Sequence, residues 1–408
     1  MPPSTRVLDH LLRSCGSLAI AATLCVAIPG LAFSVAGESP APSSAPACQA
    51  GPDWQTDPMA PGIERVIADG EGHRFDRGRV REVEIGVDGS PLVAQGARVA
   101  VVGTTDTIEP RSTDRQAFPR RLSLAPSGEL WAAEDSGAPV TLVDGQWQER
   151  SAASPAVGAS LAVLDDGTVW RVVRGDDGLH RVVWLGESTW QDAAEERPSV
   201  LARRGAASYA FAGTPDGRVW LGVDRGPRRG GLAFLEDGVW STVDDLEAYG
   251  VERALNLSVG QDGSLWVLGA DLAARPDGAL LAHQVDDGWA IFTLPADVPD
   301  DGSGAWIGWS PMAGAPLLAD DEGRLWASPP GAGLHLLEGE TLRRIAAPGL
   351  GLGAQDLAAD ERGCLWAATR RGALYTIDPT LLDPAGSAPA SRLAHYHALP
   401  PSATGVTR

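Results

Sequence analysis

Asp360-Glu361-Arg362-Gly363-Cys364-Leu365-Trp366, with the mainly apolar run 354–359 before it and Ala367-Ala368-Thr369 after it, decides the fold. A short apolar run, a polar turn and a second apolar run read as two strands joined by a tight turn. Asp caps the turn backbone and Gly supplies the positive φ that the turn requires. The unit recurs. A tryptophan three residues after a glycine stands at Trp131, Trp170, Trp220, Trp266, Trp326 and Trp366, and Asp88-Gly89-Ser90-Pro91-Leu92 is a further copy with leucine in the tryptophan position. The intervals from Leu92 onward are 39, 39, 50, 46, 60 and 40 residues. Periods of this length with several strands per unit predict an all-β seven-bladed β-propeller.

Each unit holds more than the hairpin. A second register of tryptophans follows at Trp147, Trp190, Trp240 and Trp289, and strands opening with Gly-Leu stand between the registers, as at Gly178-Leu179, Gly231-Leu232 and Gly333-Leu334. The blades are therefore expected to be four-stranded and antiparallel. Ten of the fourteen tryptophans fall in these two registers, which assigns them to wedges between blades and not to cofactor contacts.

The repeat Asp-x-x-Gly-x-Leu-Trp, carried best by Asp360/Gly363/Trp366 and Asp320/Gly323/Trp326, resembles the two-component regulator propeller repeat of extracytoplasmic bacterial sensor regions. It is also similar to the streptogramin (virginiamycin B) lyase propellers, and the resemblance covers about residues 85–378. The first resemblance implies an exported bacterial module that binds or senses a ligand or protein without catalytic residues of its own. The second implies a metal-dependent lyase, using a histidine from one blade and a Glu-x-His pair from a later one. Here Glu71-Gly72-His73 is the only Glu-x-His, and it precedes the repeats.

The domain layout follows from composition. Residues 1–36 read as a signal peptide or membrane anchor, with Arg6 and Arg13 ahead of an apolar stretch that ends at Ser34-Val35-Ala36. Residues 37–61 read as a Pro/Ser/Ala-rich linker, 62–398 as the propeller and 399–408 as a disordered tail. The expected location is periplasmic or extracellular, with membrane contact only through an uncleaved N-terminal segment. The last unit shows three strands, so its fourth comes from 63–67 or from 392–397, and β-branched content favours the former.

Charge and motifs narrow the chemistry. The chain carries a net charge of −20, has no lysine, and shows no basic patch longer than Arg225-Gly226-Pro227-Arg228-Arg229, which excludes nucleic acid as a partner. The sequence has no nucleophile elbow, and the glycines of 348–353 precede no helix, so neither a catalytic residue nor a cofactor is assigned. The histidines are scattered; His395 and His397 would share one face of a strand, as a metal pair or as the polar face of an edge strand, and no third ligand stands nearby. Cys48 and Cys364 lie beyond the N-terminal segment, where pairing and separation both fit the spacing. Trp306 and Trp309 belong to neither register and lie in the longest interval. They read either as an aromatic ligand-binding loop or as a folded-back, buried one. The expected partner is a small molecule, a glycan or a protein.

One prediction concerns processing. Cleavage after Ala36 gives a mature chain beginning at Gly37, which N-terminal sequencing of the exported form checks; an intact Met1 in the membrane fraction overturns it.

Overall fold

In the computed structural model each repeat copy becomes one antiparallel sheet, and seven sheets form a β-propeller. The structure describes Cys48 and most of 54–393. Outside the description lie 1–47, 49–53 and 394–408, and internally chiefly 69–73, 76–79, 103–106, 109–119, 134–138, 151–155, 203–206, 271–278, 295–314, 346–349 and 383–386, with shorter turn segments.

From the channel outward, blade 1 comprises Val80–Ile85, Pro91–Gln95, Arg98–Val101 and Thr107–Ile108. Blade 2 comprises Arg120–Leu124, Leu130–Ala133, Pro139–Val143 and Gln146–Glu149, and blade 3 Ala156–Val163, Val169–Arg174, His180–Leu185 and Trp190–Asp192. Blade 4 comprises Ser208–Gly213, Val219–Arg225, Arg228–Glu236 and Val239–Thr242. Blade 5 comprises Arg253–Val259, Leu265–Ala270, Ala279–Val285 and Gly288–Leu294, and blade 6 Leu317–Ala319, Leu325–Ala327, Leu334–Glu338 and Thr341–Ile345. Blade 7 opens with Ala354–Ala359, Leu365–Thr369 and Leu374–Ile377.

The motif residues do what their chemistry requires. All seven repeat glycines, Gly89 to Gly363, have φ between 77° and 87° except Gly323 at 75°, a region costly for any residue with a Cβ. Asp320 Oδ1 accepts from Arg324 N at 2.9 Å, while its Oδ2 accepts from Trp326 Nε1 at 2.8 Å. Asp360 repeats this, with Oδ1 on Cys364 N at 3.0 Å and Oδ2 on Trp366 Nε1 at 3.3 Å. One carboxylate thus closes the turn and fixes the ring that packs between blades.

The inner strands leave an edge toward the channel that no strand among the described residues covers. Neighbouring blades supply acceptors instead: Val163 N donates to Ser123 Oγ at 3.2 Å, Ala319 N to Ser258 Oγ at 2.9 Å, and Val83 N to Asp356 Oδ2 at 2.9 Å.

The ring closes through the N-terminal segment. Ile63–Ala68 pairs with Leu374–Ile377, with Ile63 opposite Ile377 and Val66 opposite Leu374. The chain adopts structure earlier than composition suggests, however. Gln55–Ala60, expected in the linker, adds a fifth strand outside Ile63–Ala68. Trp54 packs on Trp366 with ring centroids 5.5 Å apart, and Cys48 is disulfide-bonded to Cys364. The backbone supplies this pairing, so low apolar content does not prevent it. The C-terminal segment does not close the ring. Ser387–Pro389 pairs with Thr341–Ile345 of blade 6, and Arg392–Leu393 with Gly288–Leu294 of blade 5.

The second tryptophan register is less uniform than expected. Trp289 is buried, whereas Trp147, Trp190 and Trp240 are half-buried on outermost strands, where adjacent blades diverge.

Removing residues 37–70 takes away the strand that completes blade 7, and loss of cooperative thermal unfolding is expected. Cys48→Ser keeps that strand and is expected to lower stability by about 2–4 kcal/mol, the usual worth of a disulfide. Circular-dichroism melting of both variants checks this; unchanged cooperativity in the truncation overturns the closure.

Candidate functional site

Five of the six motif tryptophans are buried, and Trp266 is not. The position six residues upstream differs from blade to blade, and in blade 2 it is Ala125, where Trp131 is buried with no partner for its Nε1 among the described residues. Asp320 and Asp360 hold their indoles from that position, and in blade 4 Thr214 Oγ1 accepts from Trp220 Nε1 at 3.1 Å. In blade 5 the position is Gly260, which offers no side-chain acceptor. Blade 3 solves the same problem with Thr168, whose Oγ1 accepts from Trp170 Nε1 at 2.7 Å and donates to Asp166 Oδ1 at 2.6 Å. The equivalent of Thr168 in blade 5 is Ser264, and its hydroxyl is already occupied.

Ser264 Oγ donates to Asp262 Oδ1 at 2.6 Å and lies 2.6 Å from His283 Nε2. Since the single hydroxyl proton goes to Asp262, His283 Nε2–H donates to Ser264. His283 sits opposite Trp266 in the sheet and stacks on it, with centroids 3.8 Å apart and planes 3° from parallel. The same cross-strand place holds Trp184 in blade 3 and Phe234 in blade 4. The Ser264 hydroxyl, followed by its amide, holds the Asp262 carboxyl below the usual carboxylate range. Asp, Ser and His meet here in the wrong order for nucleophilic catalysis, in which the histidine takes the serine proton and the carboxylate holds the histidine. The trio fixes the imidazole as a flat wall.

Beside that wall lies a cleft of about 380 Å³ between blades 5 and 6. Asp262, Trp266, His283 and Phe292 of blade 5 face Arg324 and Leu337 of blade 6. The Arg324 guanidinium is held by Asp320 Oδ2 at 2.7 Å, Glu322 Oε2 at 2.8 Å and Gly363 O at 3.1 Å. A small cavity with aromatic and apolar walls and a few fixed polar groups is the usual form of a ligand site.

A second polar cluster lines the channel where blade 7 meets blade 1. Glu82, Glu84 and Asp356 stand on the two inner strands, and shifts of register at Val80/Glu82 and Ala354/Asp356 set the first and last of them at equivalent bulges. Burial pushes the Glu84 carboxyl up to about 7, with the Glu82 charge adding to the rise and the Ile85 amide opposing it. Burial, then Glu82, also holds Asp356 well above the ordinary range.

Among the other residues singled out by sequence, Trp131, Trp170, Trp220, Trp326 and Trp366 are core. Trp306, Trp309, Glu71, His73, His395 and His397 lie outside the described residues. His180 is buried against Tyr209, whose hydroxyl meets its Nδ1, and His335 is buried in blade 6. His180, His283 and His335 sit on different blades, and the described residues hold no group of three or more His, Cys, Asp or Glu able to bind a metal ion. The cleft escapes the sequence reading because Trp266 stands in the repeat register. Gly260 in Gly260-Gln261-Asp262-Gly263 is the signal, visible only beside Asp320 and Asp360.

No family model matches the chain. Solved propellers resemble it in fold: a streptogramin B lyase, 13% identical with a TM-score of 0.54, over 73% of this chain and 93% of that one. Virginiamycin B lyase from Staphylococcus aureus is 12% identical with a TM-score of 0.54, over 74% and 95%. The extracellular domain of a one-component system from B. thetaiotaomicron is 14% identical with a TM-score of 0.52, over 75% of this chain and 40% of that one.

The channel carboxyls make stability depend on pH. A carboxyl whose pKa rises on folding stabilises the fold below its unfolded value of 4.5, and that contribution is lost as pH rises through about 7. Glu84→Gln is therefore expected to melt at a higher temperature than the parent at pH 8 and to lose that advantage near pH 4.5. Melting curves across this window check it; a difference independent of pH overturns it.

Proposed function

We propose that the protein is an exported ligand-binding propeller without catalytic residues of its own, and that the cleft between blades 5 and 6 is its recognition site. The observation that carries this reading is the half-buried place of Trp266 in the cleft wall, where the other five motif tryptophans are buried. In blades 6 and 7 an acid six residues upstream holds the indole in the interior, and Gly260 withdraws that acid in blade 5 alone among these three. A half-buried tryptophan fixed against an imidazole in the wall of a cleft suits recognition, because both rings are rigid and have little entropy left to lose. The Cys48–Cys364 disulfide supports export, since such bonds persist in oxidising compartments.

The test rebuilds what blade 5 lacks. A Cβ at Gly260 meets Asp262 Oδ1 at 2.8 Å and Trp266 Nε1 at 3.4 Å, so Gly260→Asp displaces a flexible carboxylate and supplies the missing acceptor. A thermal-shift screen of small organic compounds is expected to yield ligands that raise the melting temperature of the parent but not of Gly260→Asp. Ligands that stabilise both chains equally, or a screen without any, overturn the assignment of the cleft.

A further inference from the structure

We propose that the cleft takes an organic cation, an ammonium or guanidinium group carried on a flat apolar body. This inference rests on the cleft being the recognition site and assigns the chemistry of its ligand.

Charge gives the first argument. Asp262 is exposed at the cleft, and Ser264 N and Oγ both donate to its Oδ1, at 3.0 and 2.6 Å, which leaves Oδ2 to a ligand. The cationic group of the opposite wall is already consumed. Arg324 is bound by both Asp320 and Glu322, so its positive charge is more than balanced before any ligand arrives. Only Asp262 and Arg324 of these groups line the cleft, and with Asp320 and Glu322 behind the wall the four sum to −2. An anionic ligand would meet that charge with no free cation to receive it. The chain at −20 adds a long-range field of the same sign, which draws cations toward the surface.

The walls give the second argument. The indole of Trp266 attracts a cation more strongly than any other aromatic side chain; His283 covers one of its faces at 3.8 Å, so the stacked pair meets the cleft with its remaining faces and edges. Phe292 and Leu337 offer no polar atom, so the rest of the ligand is apolar. A bare metal ion or a small inorganic cation would leave this floor unused. A ring or short hydrocarbon with a terminal positive group suits a cavity of about 380 Å³, packing against the Trp266–His283 pair and reaching Asp262.

Three probes of one shape and different charge separate the ligand class from the site. Phenethylammonium, 2-phenylethanol and phenylacetate are titrated calorimetrically into the full chain. Phenethylammonium is expected to bind, and Asp262→Asn to weaken it about tenfold. Trp266→Leu is expected to weaken it as well, and added sodium chloride to weaken it in the parent more than in Asp262→Asn. Asp88→Asn removes an equal charge from a matching turn on blade 1, where Asp88 Oδ1 caps Ser90 N at 2.9 Å, and is expected to leave binding unchanged. Equal or tighter binding of 2-phenylethanol or phenylacetate, lost in Trp266→Leu, overturns the cation while leaving the cleft as a site. Binding of phenethylammonium that Asp88→Asn weakens as much as Asp262→Asn reduces the effect to the field of the whole chain and overturns the proposal. Absence of binding by all three overturns it too, and the compound screen then judges the cleft separately.

Discussion

The hydrogen bond between a turn carboxylate and the indole six residues later ties turn to wedge in blades 6 and 7. Asp320 and Asp360 each satisfy turn amides with one oxygen and an indole nitrogen with the other. A buried indole N–H without a partner carries a desolvation cost, and removing a wedge of this size costs on the order of 3–5 kcal/mol. The same side chain therefore couples local turn geometry to packing between blades. Two blades that lack the acid find substitutes, Thr214 in blade 4 and Thr168 in blade 3. In blade 5 Ser264 is shared between Asp262 and His283, and in blade 2 Trp131 is buried with no partner for its Nε1 among the described residues. Of the six motif tryptophans Trp266 alone is half-buried, and it borders the cleft.

The fold was legible because its determinants are local and repeated. Asp360, Gly363 and Trp366 specify a turn and a wedge within seven residues, and copies at a period near forty carry the same instruction around the ring. The closing strand was legible for a related reason, the β-branched run at Ile63–Ala68. What composition hid was the strand Gln55–Ala60 and the two C-terminal strands on blades 5 and 6. Proline and small residues lower strand propensity, but an outer edge already formed by the blade offers backbone partners to any extended segment that reaches it. Such pairing depends on proximity created by the fold, which no window along the chain records.

The candidate site was less legible than the fold. Tryptophans outside the repeat registers, Trp306 and Trp309, drew attention as departures from pattern, whereas Trp266 sits in register and looks structural. Its surroundings differ through Gly260, in a turn where glycine raises no suspicion, and through His283, seventeen residues onward and adjacent only across the sheet. The channel carboxyls Glu82 and Asp356 were hidden similarly, since bulges in two different blades bring them together. Repeats make a fold easy to read and make a functional departure within one copy hard to see.

Blade 5 can forgo a buried motif tryptophan because other contacts hold it. Its outer strand places Trp289 in the interior, edge-on to Trp220 of blade 4 at 6.3 Å, so the interface with the preceding blade keeps two large rings. Arg392–Leu393 then covers the far edge of that strand, opposite Ile291 and Phe292. Phe292 lies in the wall of the cleft and belongs to the strand so backed. The added strand thus supports the side of blade 5 that faces the cavity, and it comes from a part of the chain with no role in the repeat. A pocket between blades costs packing on one side, and the C-terminal strand restores order to the sheet from the other. The same logic explains why the opening faces blade 6 and not blade 4. On the blade 4 side Trp220 is fixed by Thr214 and covered by Trp289, and that interface has no equivalent of Gly260.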